Sequence, residues 1–254
     1  MIELKTVTEL DAMREAGRVV AAALDAVRRH ATVGSSLQEL DELARTVIHD
    51  AGAAPLFEGY HPNWAPSPFP GVVCASVNDV VVHGIPGRQR LAGGDLVSID
   101  CGASVDGWCG DAAITFTVGT ARPEDTDLIG TTRQALDDGI AAARPGGRLG
   151  DISHAIGLVG RSAGYGMPAT LGGHGIGRAM HEAPFVPNEG PAGRGTPLRP
   201  GMVLALEPML LGGGDAVRDD ADGWTVRTAD SARAAHIEHT VAITDNGPEV
   251  LTAG

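Results

Sequence analysis

The stretch from Leu96 to Val118, LVSIDCGASVDGWCGDAAITFTV, is typical of two β-strands joined by a tight turn. The dipeptide Asp106-Gly107 favours the two-residue loop of a β-hairpin. Such a loop places Asp111 opposite Gly102. Asp100 lies two residues from Gly102, so it shares the face of Asp111 at a diagonal of roughly 7–8 Å between backbones. The stretch therefore predicts a hairpin with two carboxylates on one face.

Two neighbouring carboxylates repel each other unless a proton or a cation lies between them. In most proteins, two aspartates in such an arrangement are exposed on a solvated face. Here the other residues of the two strands are apolar enough to form core, which favours a buried pair. The hairpin is therefore a candidate site for a proton or a metal ion.

Outward from the hairpin, the chain repeats one order of elements. Apolar spacing predicts a helix capped by Thr8, and a second helix that begins at the Ser36-x-x-Glu39 capping box and stops before Gly52. The remaining predictions are an ordered loop at 53–71, strands at 72–77, 80–85, 96–104 and 108–118, helices at 123–143 and 152–162, a glycine-rich passage at 172–177, and strands at 202–206, 224–228 and 237–243. This order predicts a single domain, residues 1–254, with internal halves of roughly 1–120 and 121–254.

Composition and charge exclude several classes of protein. Hydrophobic residues make up 43% of the 254 residues, which is enough for a sizeable core. The formal net charge of −13, without a basic run, argues against a nucleic-acid partner. Lys5 is the only lysine, which excludes a Walker-type phosphate loop. We expect no membrane partner and a cytoplasmic protein, because no apolar run spans a bilayer, no secretion signal begins the chain, and three cysteines suit a reducing compartment.

Three further ionisable residues lie in apolar or glycine-rich surroundings. His174 lies among the glycines of 172–177, Glu207 ends an apolar run, and Glu238 lies within another. The alternatives are an incidental histidine in a flexible loop, and an ion pair between each acid and an arginine. With the hairpin pair, the set has four carboxylates and one imidazole.

This set of donors suits divalent cations. Oxygen-rich ligation with one nitrogen favours Mn²⁺, Fe²⁺ or Co²⁺ over a structural zinc ion. Two such cations would balance four carboxylates, which is the balance that a two-metal hydrolytic centre needs.

The order of these residues closely resembles the type I methionine aminopeptidases, over nearly the whole chain. The motifs are Asp100-x10-Asp111, Gly173-His-Gly-Ile-Gly177, Glu207-Pro208 and Glu238-His-Thr240, with supporting stretches at 76–86, 181–184, 200–202, 222–226 and 240–247. The chain lacks the insertion of the type II enzymes, so it is similar to the short bacterial form. The resemblance implies the α/β (α+β) "pita-bread" fold, a duplicated antiparallel sheet covered by two pairs of helices with pseudo-two-fold symmetry.

The resemblance also implies a metal-dependent aminopeptidase that removes the initiator methionine from nascent proteins when the second residue is small. Two divalent cations (Co, Mn, Fe or Zn) would be bridged by Asp111 and Glu238. Asp100 would chelate one cation, and His174 and Glu207 would complete the other. A bridging water or hydroxide would attack the scissile carbonyl, with Glu207 as proton acceptor.

Further roles follow from the same resemblance. His181 would polarise the carbonyl, and His83 would contact the substrate amide. Together with these two histidines, the side chains that would line the methionine pocket are Tyr60, Cys74, Met180 and Trp224, for which plain core packing is the alternative. The expected partners are polypeptide N-termini at the ribosome, and the expected state is a monomer.

The chain departs from the family pattern at four positions. Met180 stands where the family usually has an aromatic residue, Ala205 replaces a threonine, Ala234 a serine and His236 a glutamine. These changes concern the pocket and the hydrogen bonds around the ligands, and they leave the five ligands intact.

Two other functions remain open from the sequence. One is a metal-free peptide-binding relative, although such a module has no reason to hold five ionisable residues in apolar strands. The other is a proline-specific aminopeptidase or prolidase of the same fold. Those enzymes usually carry a separate N-terminal domain, for which this chain has no room.

Overall fold

Two helices followed by strands occur in each half of the chain. The computed structural model describes residues 2–253. The helices are α1 (Val7–His30), α2 (Leu37–Asp50), α3 (Pro123–Ala142) and α4 (Leu149–Ser162). The strands are β1 (Ala54–Pro55), β2 (Val73–Val77), β3 (Val80–Val82), β4 (Leu96–Val105), β5 (Trp108–Thr117), β6 (Gly172–Gly175), β7 (Glu182–Pro187), β8 (Val203–Leu206), β9 (Met209–Leu211), β10 (Val217–Asp219), β11 (Val226–Thr228), β12 (Ala234–His236), β13 (Glu238–Thr244) and β14 (Gly247–Val250).

The main sheet is antiparallel and contains strands of both halves. Its order is β1-β4-β5-β13-β8-β6-β7, with β2 added to β4 and β14 added to β13. β4 and β5 form the predicted hairpin, in which Gly102 pairs with Asp111. The halves meet where β13 pairs with β5 through Glu238 and Ala113. β3, β10 and β11 form a second sheet, and β9 and β12 a third.

Each helix pair buries an apolar face against its own half of the main sheet. Val20 of α1 and Leu40 of α2 pack in a cluster with Ile99 of β4. Leu136 of α3 and Ile156 of α4 pack in another cluster with strands of the second half. Full burial of one such side chain contributes about 1.5–3 kcal/mol. The two clusters therefore fix the sheet on which the polar residues lie, and they confirm the predicted architecture of one sheet and two helix pairs.

Helix α1 begins earlier than the sequence predicts. Thr6, rather than Thr8, is its N-cap: the Thr6 side chain accepts a hydrogen bond from the Glu9 backbone N–H, and the Glu9 carboxylate accepts one from the Thr6 N–H. This reciprocal pair satisfies two N–H groups at once, which a cap at Thr8 would not. The predicted capping box of α2, Ser36 with Glu39, is confirmed.

Four other boundaries differ from the predictions. The glycine-rich passage forms strand β6 instead of a loop, since its backbone pairs on both edges with β7 and β8. The second helix of the second half begins at Leu149, because Asp151 accepts a hydrogen bond from the Arg148 N–H. Strand β3 stops at Val82, since His83 has a left-handed φ of 59°. The predicted last strand, 237–243, is β13 and begins at Glu238, and the separate strand β12 before it was not predicted.

The interpretation as one domain with two internal halves stays a proposal. It is supported by the β5–β13 pairing, which joins strands of both halves in one sheet.

Between residues 2 and 253, no helix combines the length and hydropathy that a membrane crossing requires.

Candidate metal centre

Five neighbouring strands of the main sheet each supply one of the predicted ligands. In the order β4-β5-β13-β8-β6, the first three strands carry Asp100, Asp111 and Glu238. Glu207 directly follows β8, and His174 lies in β6. Residues that are up to 138 positions apart in sequence are thus adjacent in the sheet. All five side chains line one cavity of about 440 Å³.

The side chains converge within this cavity. Ligand atoms of Asp111, His174 and Glu238 lie within 4.8 Å of one another. His174 Nε2 lies 3.6 Å from Glu207 Oε1. Asp100 is close enough to Asp111 for their carboxyl groups to interact directly. The structure therefore places the five residues close together, as the sequence predicts.

The two alternative interpretations of the acids, an exposed pair on a solvated face and ion pairs with arginines, are wrong. Asp111 is 3% exposed and Glu238 is 2% exposed, so these are not aspartates and glutamates on a solvated face. Among the salt bridges of residues 2–253, none joins an arginine or lysine to Asp100, Asp111, Glu207 or Glu238. The four acids therefore lie together without a cationic side chain; Asp111 and Glu238 are buried, and Asp100 and Glu207 are partly buried.

Burial raises the pKa of every acid in the group, and the charges of neighbouring acids raise those of Asp100, Asp111 and Glu238 further. Burial, followed by the charges of Asp111 and Glu207, raises the pKa of Asp100 well above its usual range. Burial, followed by the charge of Glu207, raises the pKa of Asp111 to about 8. Burial also raises the pKa of Glu207 and Glu238 well above the ordinary range. Without a cation, this group holds protons at neutral pH.

His174 offers one nitrogen to the cavity. Its Nδ1 lies 2.9 Å from the carbonyl oxygen of Gly175. Because a carbonyl can only accept, Nδ1 carries the proton and Nε2 has a free lone pair facing Glu207. Burial lowers the pKa of His174 to about 4, so the ring is neutral, as a metal ligand must be.

The residues present fit a divalent cation. Within residues 2–253, Asp100 Oδ1 and Asp111 Oδ1 are buried and have no hydrogen-bond partner. Buried unpaired carboxylate oxygens are costly unless a cation binds them. Four carboxylates and one neutral imidazole are donors that first-row divalent metals accept.

The predicted substrate-binding residues form the rest of the cavity wall. The Tyr60 hydroxyl lies 3.1 Å from His181 Nδ1, and the rings of His174 and His181 are 4.3 Å apart. Burial lowers the pKa of His181, and it lowers that of His83 to about 4. The predicted residues on this wall are Tyr60, Cys74, His83, Met180, His181 and Trp224.

Other residues line the cavity that the sequence analysis did not assign. Phe57, Trp64 and Phe69 belong to the aromatic-rich loop, whose composition was the available indication. Phe185, Met209 and the 170–171 segment gave no indication, since each reaches the cavity only through the pairing of distant strands. The cavity is therefore more apolar than the predicted residues alone suggest.

Of the four departures from the family pattern, Ala205, His236 and Met180 lie beside a predicted ligand or in the cavity. Ala205 pairs with His174 across β8 and β6. Ala234 is buried and pairs with Leu211 across β12 and β9. His236 Nε2 lies 3.4 Å from Glu207 Oε2, and Met180 lines the cavity. These positions change the surroundings of the ligands and leave the ligands in place.

Comparison with known proteins agrees with this geometry. The metallopeptidase family M24 matches residues 11–245. Methionine aminopeptidase 1 of Mycobacterium tuberculosis is 53% identical to the chain, covering 100% of it and 96% of the relative. Methionine aminopeptidase 1 of Bacillus subtilis is 44% identical, covering 99% of each.

Solved structures give the same answer. A methionine aminopeptidase of Thermotoga maritima superposes with a TM-score of 0.96 at 40% identity, covering 100% of both chains. A prolidase of Pyrococcus furiosus has a TM-score of 0.78 at 23% identity and is covered to 65%, so it shares the fold alone.

A cavity of buried acids on this fold defines a metal-dependent peptidase, and the chain belongs to metallopeptidase family M24. Such an enzyme uses divalent metal ions. Within the family it groups with the bacterial type I methionine aminopeptidases, which confirms the resemblance and the pita-bread fold predicted from the sequence.

Proposed function

We propose that the chain removes methionine from the N-termini of newly made polypeptides, with two divalent cations held by five ligands. The observation that carries this proposal is the group of four carboxylates, buried or partly buried in one cavity, without an arginine or lysine partner among residues 2–253. Asp111 and Glu238, on the paired strands β5 and β13, would both help to hold the two cations, with Asp100 as a further ligand of one of them. His174 and Glu207 would complete the second position.

Charge balance supports two cations rather than one. Removing one acid from water without a counter-charge costs several kcal/mol, and four ionised acids need about four positive charges. Two divalent ions supply that charge. The oxygen-rich donor set favours Mn, Fe or Co, and it also accommodates Zn.

When bound, the cations supply Lewis acidity, which favours the ionisation of water and polarises a peptide carbonyl. Glu207 would accept the proton that water loses and pass it to the leaving amine. The Tyr60 hydroxyl lies 3.1 Å from His181 Nδ1 and would donate to it, which would leave Nε2–H of His181 to donate to the substrate carbonyl. His83, neutral and buried, would contact the substrate amide.

The apolar wall suits a methionine side chain. Cys74, Met180 and Trp224 pack in one cluster with Phe57 and Phe69. Burial and the nearby acids raise the pKa of Cys74 well above its usual range, so its thiol stays uncharged and apolar. We propose that the loop with Tyr60 and His61 limits the second substrate residue to small side chains.

The natural substrates would be N-termini that emerge from the ribosome, and a monomer would be sufficient, because all five ligands come from one chain. We propose the cytosol as the compartment. Its support is the presence of Cys74, Cys101 and Cys109 as buried free thiols.

A metal-dependent peptidase assay tests this proposal. The chain should hydrolyse Met-Ala-Ser when Mn²⁺ or Co²⁺ is added, and Glu207→Gln should lower kcat by about 10²–10⁴-fold. Glu124→Gln is the matched control, since Glu124 is exposed on α3, and it should leave kcat unchanged. The metal content should be two ions per chain, and Asp111→Asn should reduce it.

The alternatives give different results in the same assay. A metal-free peptide-binding protein would bind Met-Ala-Ser without metal-dependent turnover. A proline-specific enzyme would cleave Ala-Pro substrates in preference to Met-Ala-Ser. Either result would overturn the proposal.

A further inference from the structure

Trp64 combines two properties that rarely occur together. Its side chain is 63% exposed, yet it lines the cavity that holds the ligands. Among residues 2–253, Phe185 is the only other large exposed hydrophobic side chain that lines this cavity. Exposed aromatic side chains at the mouth of a binding cavity are typical of surfaces that a ligand covers.

The loop presents Trp64 in a fixed position. The Trp224 ring nitrogen donates to the Ser67 carbonyl at 3.0 Å, which fastens the loop to the segment before β11. The Ala65 N–H donates to the Pro62 carbonyl at 3.0 Å, and the indole of Trp64 packs against that of Trp224 with 5.0 Å between ring centroids. A side chain held in this way loses little conformational entropy when a ligand covers it.

Trp64 also borders the residue that would contact the scissile amide. Its ring lies 6.4 Å from that of His83, and the two planes are inclined by 24°. In the proposed function, the methionine side chain fills the apolar wall beyond Trp224. The polypeptide that continues after the second residue must leave the cavity towards solvent, where Trp64 is exposed.

We propose that Trp64 is a specificity-determining residue that binds the third residue of the polypeptide substrate and prefers an apolar or aromatic side chain there. The inference rests on the proposed function and adds a subsite to it. An indole face that contacts an aromatic side chain stabilises the complex by about 0.5–1.5 kcal/mol, which corresponds to about three- to tenfold in kcat/KM.

The test compares two tetrapeptides, Met-Ala-Phe-Gly and Met-Ala-Gly-Gly, through the ratio of their kcat/KM values. The ratio cancels any uniform effect that a Trp64 variant has through His83. We expect a ratio of about three to ten in the native chain. It should fall to about one in Trp64→Ala and be largely restored in Trp64→Phe.

Leu158→Ala is the matched control, because Leu158 is 58% exposed on α4 and does not line the cavity. It should keep the native ratio. A native ratio of one, or an unchanged ratio in Trp64→Ala, would overturn the inference. Hydrolysis of Met-Ala-Ser is measured in parallel, and its absence, together with that of both tetrapeptides, would instead overturn the proposed function and the subsite that depends on it.

Discussion

His236 shows how a single side chain changes the surroundings of the ligands. Its Nε2 atom lies 3.4 Å from Glu207 and 3.7 Å from Glu238, and it is buried without a hydrogen-bond partner within residues 2–253. The backbone of His236 is held by hydrogen bonds with Thr115. Burial lowers the pKa of His236 to about 3, so the imidazole is neutral. A neutral ring in this place can orient both carboxylates without adding charge.

We therefore expect His236→Leu to weaken the binding of Mn²⁺ by about 10- to 100-fold, because the Glu207 and Glu238 carboxylates lose the imidazole that lies beside them. His236→Gln keeps a donor of similar reach and should stay within about threefold of the native affinity. Calorimetric titration with Mn²⁺ measures both. His154→Leu, on the exposed face of α4, is the control, and equal affinity in His236→Leu and His154→Leu would contradict this role.

At the scale of elements, a buried ion pair fastens the N-terminal segment to the start of β7. Lys5 Nζ lies 2.7 Å from Glu182 Oε2, with side-chain exposures of 2% and 19%. The other oxygen of Glu182 accepts a hydrogen bond from the Ala179 N–H at 3.1 Å. The pair thus holds the loop that carries Met180 and His181 against the N-terminal segment.

Lys5→Met should lower the free energy of unfolding by about 2–3 kcal/mol, because it leaves the Glu182 carboxylate mostly buried and unpaired. Arg18→Met is the matched control: it removes an exposed ion pair with Glu15 and should cost less than about 1 kcal/mol. Urea unfolding measures both. The double variant Lys5→Met/Glu182→Gln should regain part of the loss, and equal effects of Lys5→Met and Arg18→Met would contradict the role of the pair.

The elements also show what a sequence can predict. Asp106-Gly107 strongly favours a two-residue hairpin turn, so the register of the hairpin and the proximity of Asp100 to Asp111 followed from the sequence. Strand β6 could not be predicted from the sequence, because glycine has little strand preference and the strand is fixed by distant partners. Its contact with β8 is close: a Cβ on Gly173 would lie 2.1 Å from the Ala205 carbonyl oxygen.

The candidate site was predictable to the extent that its residues break a local pattern. Charged residues such as Glu207 and Glu238 in apolar strands are unusual in the sequence itself. Phe185 is not unusual in its surroundings, since an apolar residue in an alternating strand is ordinary. Its place in the cavity arises from the β6–β7 pairing, which no local pattern encodes.

At the scale of the whole molecule, the buried acids link metal binding to stability. Their folded-state pKa values are raised, so the folded chain without metal binds more protons than the unfolded chain. The lowered pKa values of His83, His174 and His236 oppose this effect below about pH 6.5, so the free energy of unfolding of the metal-free chain falls most steeply between about pH 6.5 and 8, the pKa of Asp111. Bound cations remove this penalty by balancing the ionised acids.

The midpoint of thermal unfolding should thus fall by several degrees between about pH 6.5 and pH 8 in EDTA, and by less in excess Mn²⁺. Asp111→Asn lacks one of the titrating acids and should show a smaller fall in EDTA than the native chain. Differential scanning calorimetry at the two pH values tests this. The same pH dependence with and without Mn²⁺ would contradict the linkage.

The β5–β13 pairing brings together predicted ligands from both halves of the chain, so the candidate metal centre forms only when the two halves associate. Asp100 and Asp111 precede the exposed segment 119–122, whereas His174, Glu207 and Glu238 follow it. A chain severed in that segment would yield two fragments, each with part of the proposed ligand set and neither with all five residues. Metal binding that returns when the two fragments are mixed would then show that they have reassembled. The candidate metal centre would itself report this fragment complementation.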